Sequence, residues 1–159
     1  MKTARPLILS LLLSALLPLC VACDKVSDNG DLDGMWQIMS IAYQREQAAA
    51  STYDSVCATK DYKAYLSFQL DLSKIHWNNI DITDTNVVLS RFKHRGDTLR
   101  LYEFYRHYPD SDTPIEENEI NILKPFGIWH TEEIFIVKEL DSKSLILQSN
   151  YARITLRKF

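Results

Sequence analysis

Tyr62-Lys63-Ala64-Tyr65-Leu66-Ser67-Phe68-Gln69-Leu70 is the stretch whose reading decides the fold class. Tyr62, Ala64, Leu66, Phe68 and Leu70 share one face, and Lys63, Ser67 and Gln69 share the other with Tyr65. Successive side chains leave a strand on opposite sides, so this period of two predicts a strand with one buried face. The flanking sequence repeats the signal. Residues 36–42 read as an earlier strand and residues 74–77 as a short partner. Residues 86–95 and 98–107 are β-rich runs separated by Gly96-Asp97. Glycine first in a two-residue loop suits a type II′ hairpin turn. Residues 133–140 and 144–148 flank the tight connection Asp141-Ser142-Lys143, and residues 151–158 form a last run. About seven to nine strands at this spacing predict an all-β sandwich or barrel.

Two segments break the pattern. At 114–124 a short helix is expected. Thr113 serves as its N-cap, Pro114 as its first residue and Glu116 as the return half of a capping box. Ile115, Ile120 and Leu123 would form its apolar stripe, with Pro125 and Gly127 ending it. The span 44–61 is open between a helix, which Gln44-Arg45-Glu46-Gln47-Ala48-Ala49-Ala50 favours by propensity, and a long loop.

The first residues have a different character. Lys2 and Arg5 precede an apolar run from Leu7 to Leu19, broken by Ser10, Ser14 and Pro18. A short positive start, a brief apolar core and small residues before a cut are the parts of an export signal. The run is too short to span a bilayer, which takes roughly 20 residues. Leu19-Cys20-Val21-Ala22-Cys23 resembles the lipobox of bacterial lipoproteins, although Cys20 stands where leucine is usual. The resemblance implies a signal peptide at 1–22, lipid attachment at Cys23 and a site on the cell envelope, with the outer membrane expected. Cleavage as an ordinary secreted protein is the alternative. Residues 23–33, polar and containing Gly30, read as a flexible tether. A single domain is expected at 34–159.

Composition narrows the function. The chain carries 18 Lys+Arg and 21 Asp+Glu. Losing residues 1–22 removes Lys2 and Arg5 and takes the net charge from −3 to about −5. A general nucleic-acid binder would need a basic footprint instead. Of three cysteines, Cys20 leaves with the signal and Cys23 carries lipid. Cys57 then has no internal partner, and it reads as a small buried residue in preference to a free thiol.

No catalytic pattern stands out. The histidines His76, His94, His107 and His130 form neither an HxH nor an HExxH spacing. If Gly96-Asp97 is the turn, His94 faces Leu99, and His107 lies at the far end of the hairpin. No metal, cofactor or catalytic residue is therefore assigned. His130 beside Glu132 and Glu133 offers acid–base groups, but charges at a strand start are usually solvated. The same register places Arg91, Lys93, Arg95 and Arg100 on one hairpin face, with Tyr102 and Phe104 further along. That face is either an anion-recognising patch or a solvent face. A membrane-spanning barrel is excluded by the last run, whose outward face would carry Tyr151, Arg153, Thr155 and Arg157.

Asp33-Gly34-Met35-Trp36 opens the first strand. Gly-x-Trp there resembles the lipocalin superfamily. The closing run 151–159 and the hairpin pattern Phe135-x-Val137-x-x-Leu140 followed by Leu145-x-Leu147 are similar to the lipocalin-like domains of Bacteroidetes lipoproteins. The resemblance implies an antiparallel barrel of about eight strands, with Gly34 and Trp36 closing one end. It also implies an arginine from the last strand packed on the Trp36 ring, Arg153 or else Arg157, held by cation–π attraction. A non-enzymatic role is then expected, binding a small apolar or amphipathic ligand in the barrel. Tyr62, Leu66, Phe68, Arg100 and Tyr102 are the candidate lining residues. The competing readings are an envelope interaction or assembly lipoprotein with a solid barrel core, and an enzyme using polar loop residues.

Overall fold

The computed structural model describes residues 29–44, 53–58, 63–78 and 86–159, with 53–58 described by backbone path alone. Expectations for the signal at 1–22, for Cys23, for Tyr62 and for the Cys57 side chain lie outside the described residues.

The described residues form ten strands: β1 (Gly34–Gln44), β2 (Tyr53–Ala58), β3 (Lys63–Gln69), β4 (Leu72–Asn78), β5 (Val87–Arg95), β6 (Thr98–His107), β7 (Asp112–Pro114), β8 (Glu132–Leu140), β9 (Ser144–Gln148) and β10 (Ala152–Lys158). Antiparallel pairing runs β1-β3-β4-β5-β6-β8-β9-β10 and returns from β10 to β1, closing an eight-strand barrel. Closure leaves these eight strands without a free edge. β2 pairs with the far half of β1, where β3 no longer reaches, and β7 pairs with the end of β6.

The alternation read at 62–70 holds at its centre, where Ala64, Leu66 and Phe68 are buried inside the barrel; Leu70, expected on the same face, instead leaves the strand at φ +58 and is exposed, and Tyr65 on the outer face is buried as well. Ile75 and Trp77, Val88 and Phe92, Leu99 and Leu101, Leu145 and Leu147, and Ile154 and Leu156 repeat it on other strands. Each such side chain contributes about 1.5–3 kcal/mol by leaving water. Gly96 has φ +59 and no other residue of its loop has positive φ, as a type II′ turn requires.

Irregularities correct the simple count. Pairing near the turn follows the expected register as far as Arg91↔Tyr102 and then shifts to Leu89↔Tyr105. Glu103, at φ +55, takes up the shift as a bulge. The extra residue turns Phe104 inward, so it joins the core and leaves the basic face to which it had been assigned.

The expected helix at 114–124 is not formed as such. Pro114 ends strand β7, and the Ile115 N–H donates to the Phe104 carbonyl at 2.8 Å, so pairing with β6 continues past the intended helix start. The capping box forms three residues later, between Glu116 and Glu119. It opens a 3-10 turn at Glu117–Ile122, followed by another at Lys124–Phe126.

The two ends of the barrel differ. The tight connections at 70–71, 96–97 and 141–143 lie at one end, where β1 begins and β10 finishes. The longer connections lie at the other. There the segment 115–128 reaches across, burying Ile115, Ile120, Leu123, Phe126 and Ile128 in the same core. Phe126 packs on Trp77 with ring centroids 4.8 Å apart, and the Tyr43 hydroxyl donates to the Pro125 carbonyl at 3.1 Å. The tether expected at 23–33 is also shortened. Gly30–Leu32 is a 3-10 turn built into the domain, because Leu32 is fully buried against the barrel.

Candidate functional site

The hairpin end is closed by a small assembly around Trp36. Its ring is fully buried, and its indole N–H donates to the Leu32 carbonyl at 2.8 Å. The cation on this ring is Lys158, whose Nζ lies 4.4 Å from the centroid. Arg153 does not occupy that place, and neither does Arg157. Ala152, Ile154 and Leu156 point inward, so Arg153 and Arg157 face solvent, and Trp36 lies opposite Lys158 in the ladder. Arg157 instead donates to Gln37 Oε1 at 2.9 Å. Lys158 also donates to the carbonyl oxygens of Asp31, at 2.7 Å, and of Asp33. Burial lowers its pKa, and the Asp31 and Asp33 carboxylates oppose that shift. Gly34 makes room for the assembly. Its φ is +113, and a Cβ there would meet Lys158 Cε at 3.1 Å and Nζ at 3.3 Å.

The four described lining candidates lie on opposite sides of the barrel wall. Leu66 and Phe68 face inward, exposed by only 3% and 1%, and Phe68 packs edge-on to Phe92 at 5.0 Å. Arg100 and Tyr102 lie on the outer side of the wall, because their neighbours Leu99 and Leu101 point in. A cavity large enough for a ligand would leave its walls open to a water-sized sphere. Among the described residues most apolar inward side chains on the eight strands are instead buried, with Tyr43, Val137 and Leu140 partly buried against the same core. Buried polar groups remain among these side chains. Ser73 and Ser90 hydrogen-bond to each other at 2.5 Å, and the Trp77 indole N–H has no partner.

The outer basic face is largely neutralised. Arg91 pairs with Asp71 and approaches Glu103 at 3.8 Å, while Arg100 pairs with Glu132 at 2.6 Å. Arg100 and Lys93 both sit over the Tyr102 ring, at 4.9 and 5.8 Å from its centroid. Attraction of both cations to this one ring offsets some of their mutual repulsion. These partners favour the solvent-face reading over an anion site.

At the opposite rim the polar groups converge. His130 Nδ1 lies 2.9 Å from Glu117 Oε1, and its Nε2 lies 3.0 Å from the Tyr151 hydroxyl. Glu117 also accepts from the Thr131 hydroxyl at 2.6 Å and from its N–H at 3.0 Å. The Thr131 hydrogen bonds, then that of His130, hold the Glu117 pKa down at about 2. Glu133 is different. It is buried, and burial raises its pKa although the N–H of Trp129 donates to it at 2.8 Å. His130 therefore pairs with Glu117 from a distant turn, whereas Glu132 is engaged by Arg100. Beside this cluster runs an open groove of about 440 Å³ on the outer side of β8 and β9. His130, Glu133 and Tyr151 border it, with Lys138, Gln148 and the exposed Ile134 along its length. Its donors and acceptors suit a polar contact beside an apolar strip. Among the described residues no group of three or more His, Cys, Asp and Glu could hold a metal ion.

Sequence reasoning missed the Lys158 cap and the Glu117–His130–Tyr151 cluster. Parity along the last strand carried a signal for Lys158. Nothing local signalled the cluster, whose members are 13 and 21 residues apart.

The model of the family described as lipocalin-like domain matches residues 17–159. A lipocalin-like protein from Bacteroides uniformis ATCC 8492 is similar in structure, with a TM-score of 0.50 and 21% identity, over 82% of this chain and 100% of that one. An uncharacterized protein from Bacteroides eggerthii DSM 20697 is similar with a TM-score of 0.51 and 19% identity, over 80% of this chain and 99% of that one. No curated protein matches the sequence. The closed barrel and the family match agree: the chain belongs to the lipocalin-like domain family.

Proposed function

We propose that this protein is a lipid-anchored component of the bacterial cell envelope, attached through Cys23 to the outer membrane. Its barrel serves as a solid, non-enzymatic scaffold for contacts made on its outer surface. The filled interior carries this reading. Inward side chains such as Trp36, Phe68, Phe92, Leu101 and Phe135 are buried against one another, so a small molecule would have to displace core. The groove beside His130 and Tyr151 is the candidate contact surface. The anchor is supported by the positive and apolar start at 2–19 followed by the cysteine segment at 19–23.

A second reading keeps the barrel as a carrier of a small apolar or amphipathic ligand. One observation favours it: the unpartnered Trp77 indole N–H lies beneath Phe126, and a shift of 115–128 would present that donor to a guest. Native mass spectrometry of protein extracted from its own host separates the two. The solid scaffold predicts only the acylated chain. A small molecule lost reproducibly on activation would establish the carrier. Cys23→Ser should move the protein from the membrane to the soluble fraction, and an unchanged distribution would sink the anchor.

A further inference from the structure

We propose that the hairpin end of the barrel rests on the bilayer surface, with Leu70 at the contact; the inference builds on acylation at Cys23. Asn29 is where the described chain enters the domain, and its side chain donates to the Leu70 carbonyl at 2.8 Å. The entry point therefore lies beside the β3–β4 turn. Six peptide units separate Cys23 from Asn29. Fully extended they span at most about 20 Å. Acyl chains on Cys23 sit in the bilayer, so this end of the barrel stays within about 20 Å of the lipid.

Exposed large apolar side chains concentrate there, beside charged groups such as the exposed Asp71–Arg91 pair. Six large hydrophobic side chains are exposed among the described residues. Four of them, Leu70, Leu72, Met35 and Phe159, lie at this end. They belong to neighbouring strands or the turn between them: Phe159 follows β10, Met35 is on β1, Leu70 is in the β3–β4 turn and Leu72 opens β4. Leu70 is 71% exposed and Phe159 is 70% exposed. Phe159 is held in place, since its N–H donates to the Met35 carbonyl at 2.8 Å and its ring meets Tyr65 edge-on at 5.2 Å. Leu70 is held too, at the tip of a turn with φ +58, where a leucine is strained and gains nothing from burial in the domain.

Apolar and aromatic side chains are stabilised at the headgroup boundary, and a nearby acyl anchor makes such weak contacts effective. The opposite end, with segment 115–128 and the groove rim at His130 and Tyr151, then faces away from the membrane. Contacts made by the groove would be with molecules approaching from the aqueous side.

A photoreactive benzoylphenylalanine placed at position 70, and separately at position 110 at the far end, tests this in the full-length acylated protein. The sample is reconstituted in phosphatidylethanolamine–phosphatidylglycerol vesicles, irradiated, and measured by intact mass. The position 70 protein should gain lipid adducts several-fold above the position 110 protein. Both positions are exposed, so circular dichroism should be unchanged by either replacement. If the protein floats with the vesicles but adducts are equal or absent, the orientation is wrong while the anchor stands. Protein that stays in the aqueous phase overturns the anchor and the orientation together.

Discussion

Replacing Gly34 by alanine tests the closed end of the barrel. At φ +113 an L-residue is strained, at a cost of about 1–3 kcal/mol. The new Cβ would also press on Lys158 Cε and Nζ at 3.1 and 3.3 Å. Lysine is flexible and will yield, but only by loosening its hold on the Trp36 ring and on the Asp31 and Asp33 carbonyls. A partly desolvated cation–π contact contributes about 1–2 kcal/mol. Partial loss of it and of a charge-assisted hydrogen bond brings the expected total to about 2–4 kcal/mol. Urea unfolding of the soluble Cys23→Ser protein should show a lower midpoint at unchanged slope. Gly34→Ala in a Lys158→Met background should cost less than in the parent, because part of the penalty is shared. A Gly34→Ala effect below about 0.5 kcal/mol, within the range of ordinary surface changes, or strict additivity with Lys158→Met, would refute the reasoning.

Other outcomes follow from the same structure. Lys158→Met should destabilise by about 1–2 kcal/mol, whereas Arg153→Ala should stay within about 0.5 kcal/mol, and the reverse order by urea unfolding would restore Arg153 as the capping cation. Phe126→Ala should cost about 3–5 kcal/mol, since this ring is buried on Trp77; a surface-like loss would mean that segment 115–128 is not part of the core. Glu117 and Glu133 should act oppositely with pH. Glu117 has its folded pKa lowered to about 2, so its contribution is present above the ordinary 4.5 and disappears as pH falls towards 2; Glu117→Gln and the parent should therefore converge in acid unfolding curves. Glu133 has its pKa raised, so the folded state binds the extra proton above 4.5, and stability falls as pH rises through the raised value; Glu133→Gln should remove that slope. Leu70→Gly should stabilise the soluble protein by about 1 kcal/mol, as relief of left-handed strain, and a loss by thermal melting would contradict it.

Most of the fold was legible because it rests on local alternation. The run at 62–70 and the hairpin around Gly96-Asp97 each carry their period and their turn in adjacent residues. The helix expected at 114–124 failed for a tertiary reason: the Ile115 N–H is taken by Phe104 of β6, which delays the start until Glu116. Phe104 itself was misplaced by a bulge at Glu103 that leaves no mark in composition. The site was less legible. Lys158 was within reach, since the inward residues at 152, 154 and 156 share its parity. The resemblance directed attention to arginine instead. His130 was noticed beside Glu132 and Glu133, yet its partners come from a 3-10 turn and from the approach to β10, which only the closed barrel brings together.

The filled interior is the central claim, and xenon tests it most directly. An apolar cavity binds xenon, whereas a close-packed core has no room for it. Amide NMR spectra of the soluble Cys23→Ser protein should show no saturable xenon-dependent shifts at Leu66, Phe68, Phe92, Leu101 and Phe104. Saturable shifts converging on those residues would reveal a cavity and return the barrel to the role of a carrier.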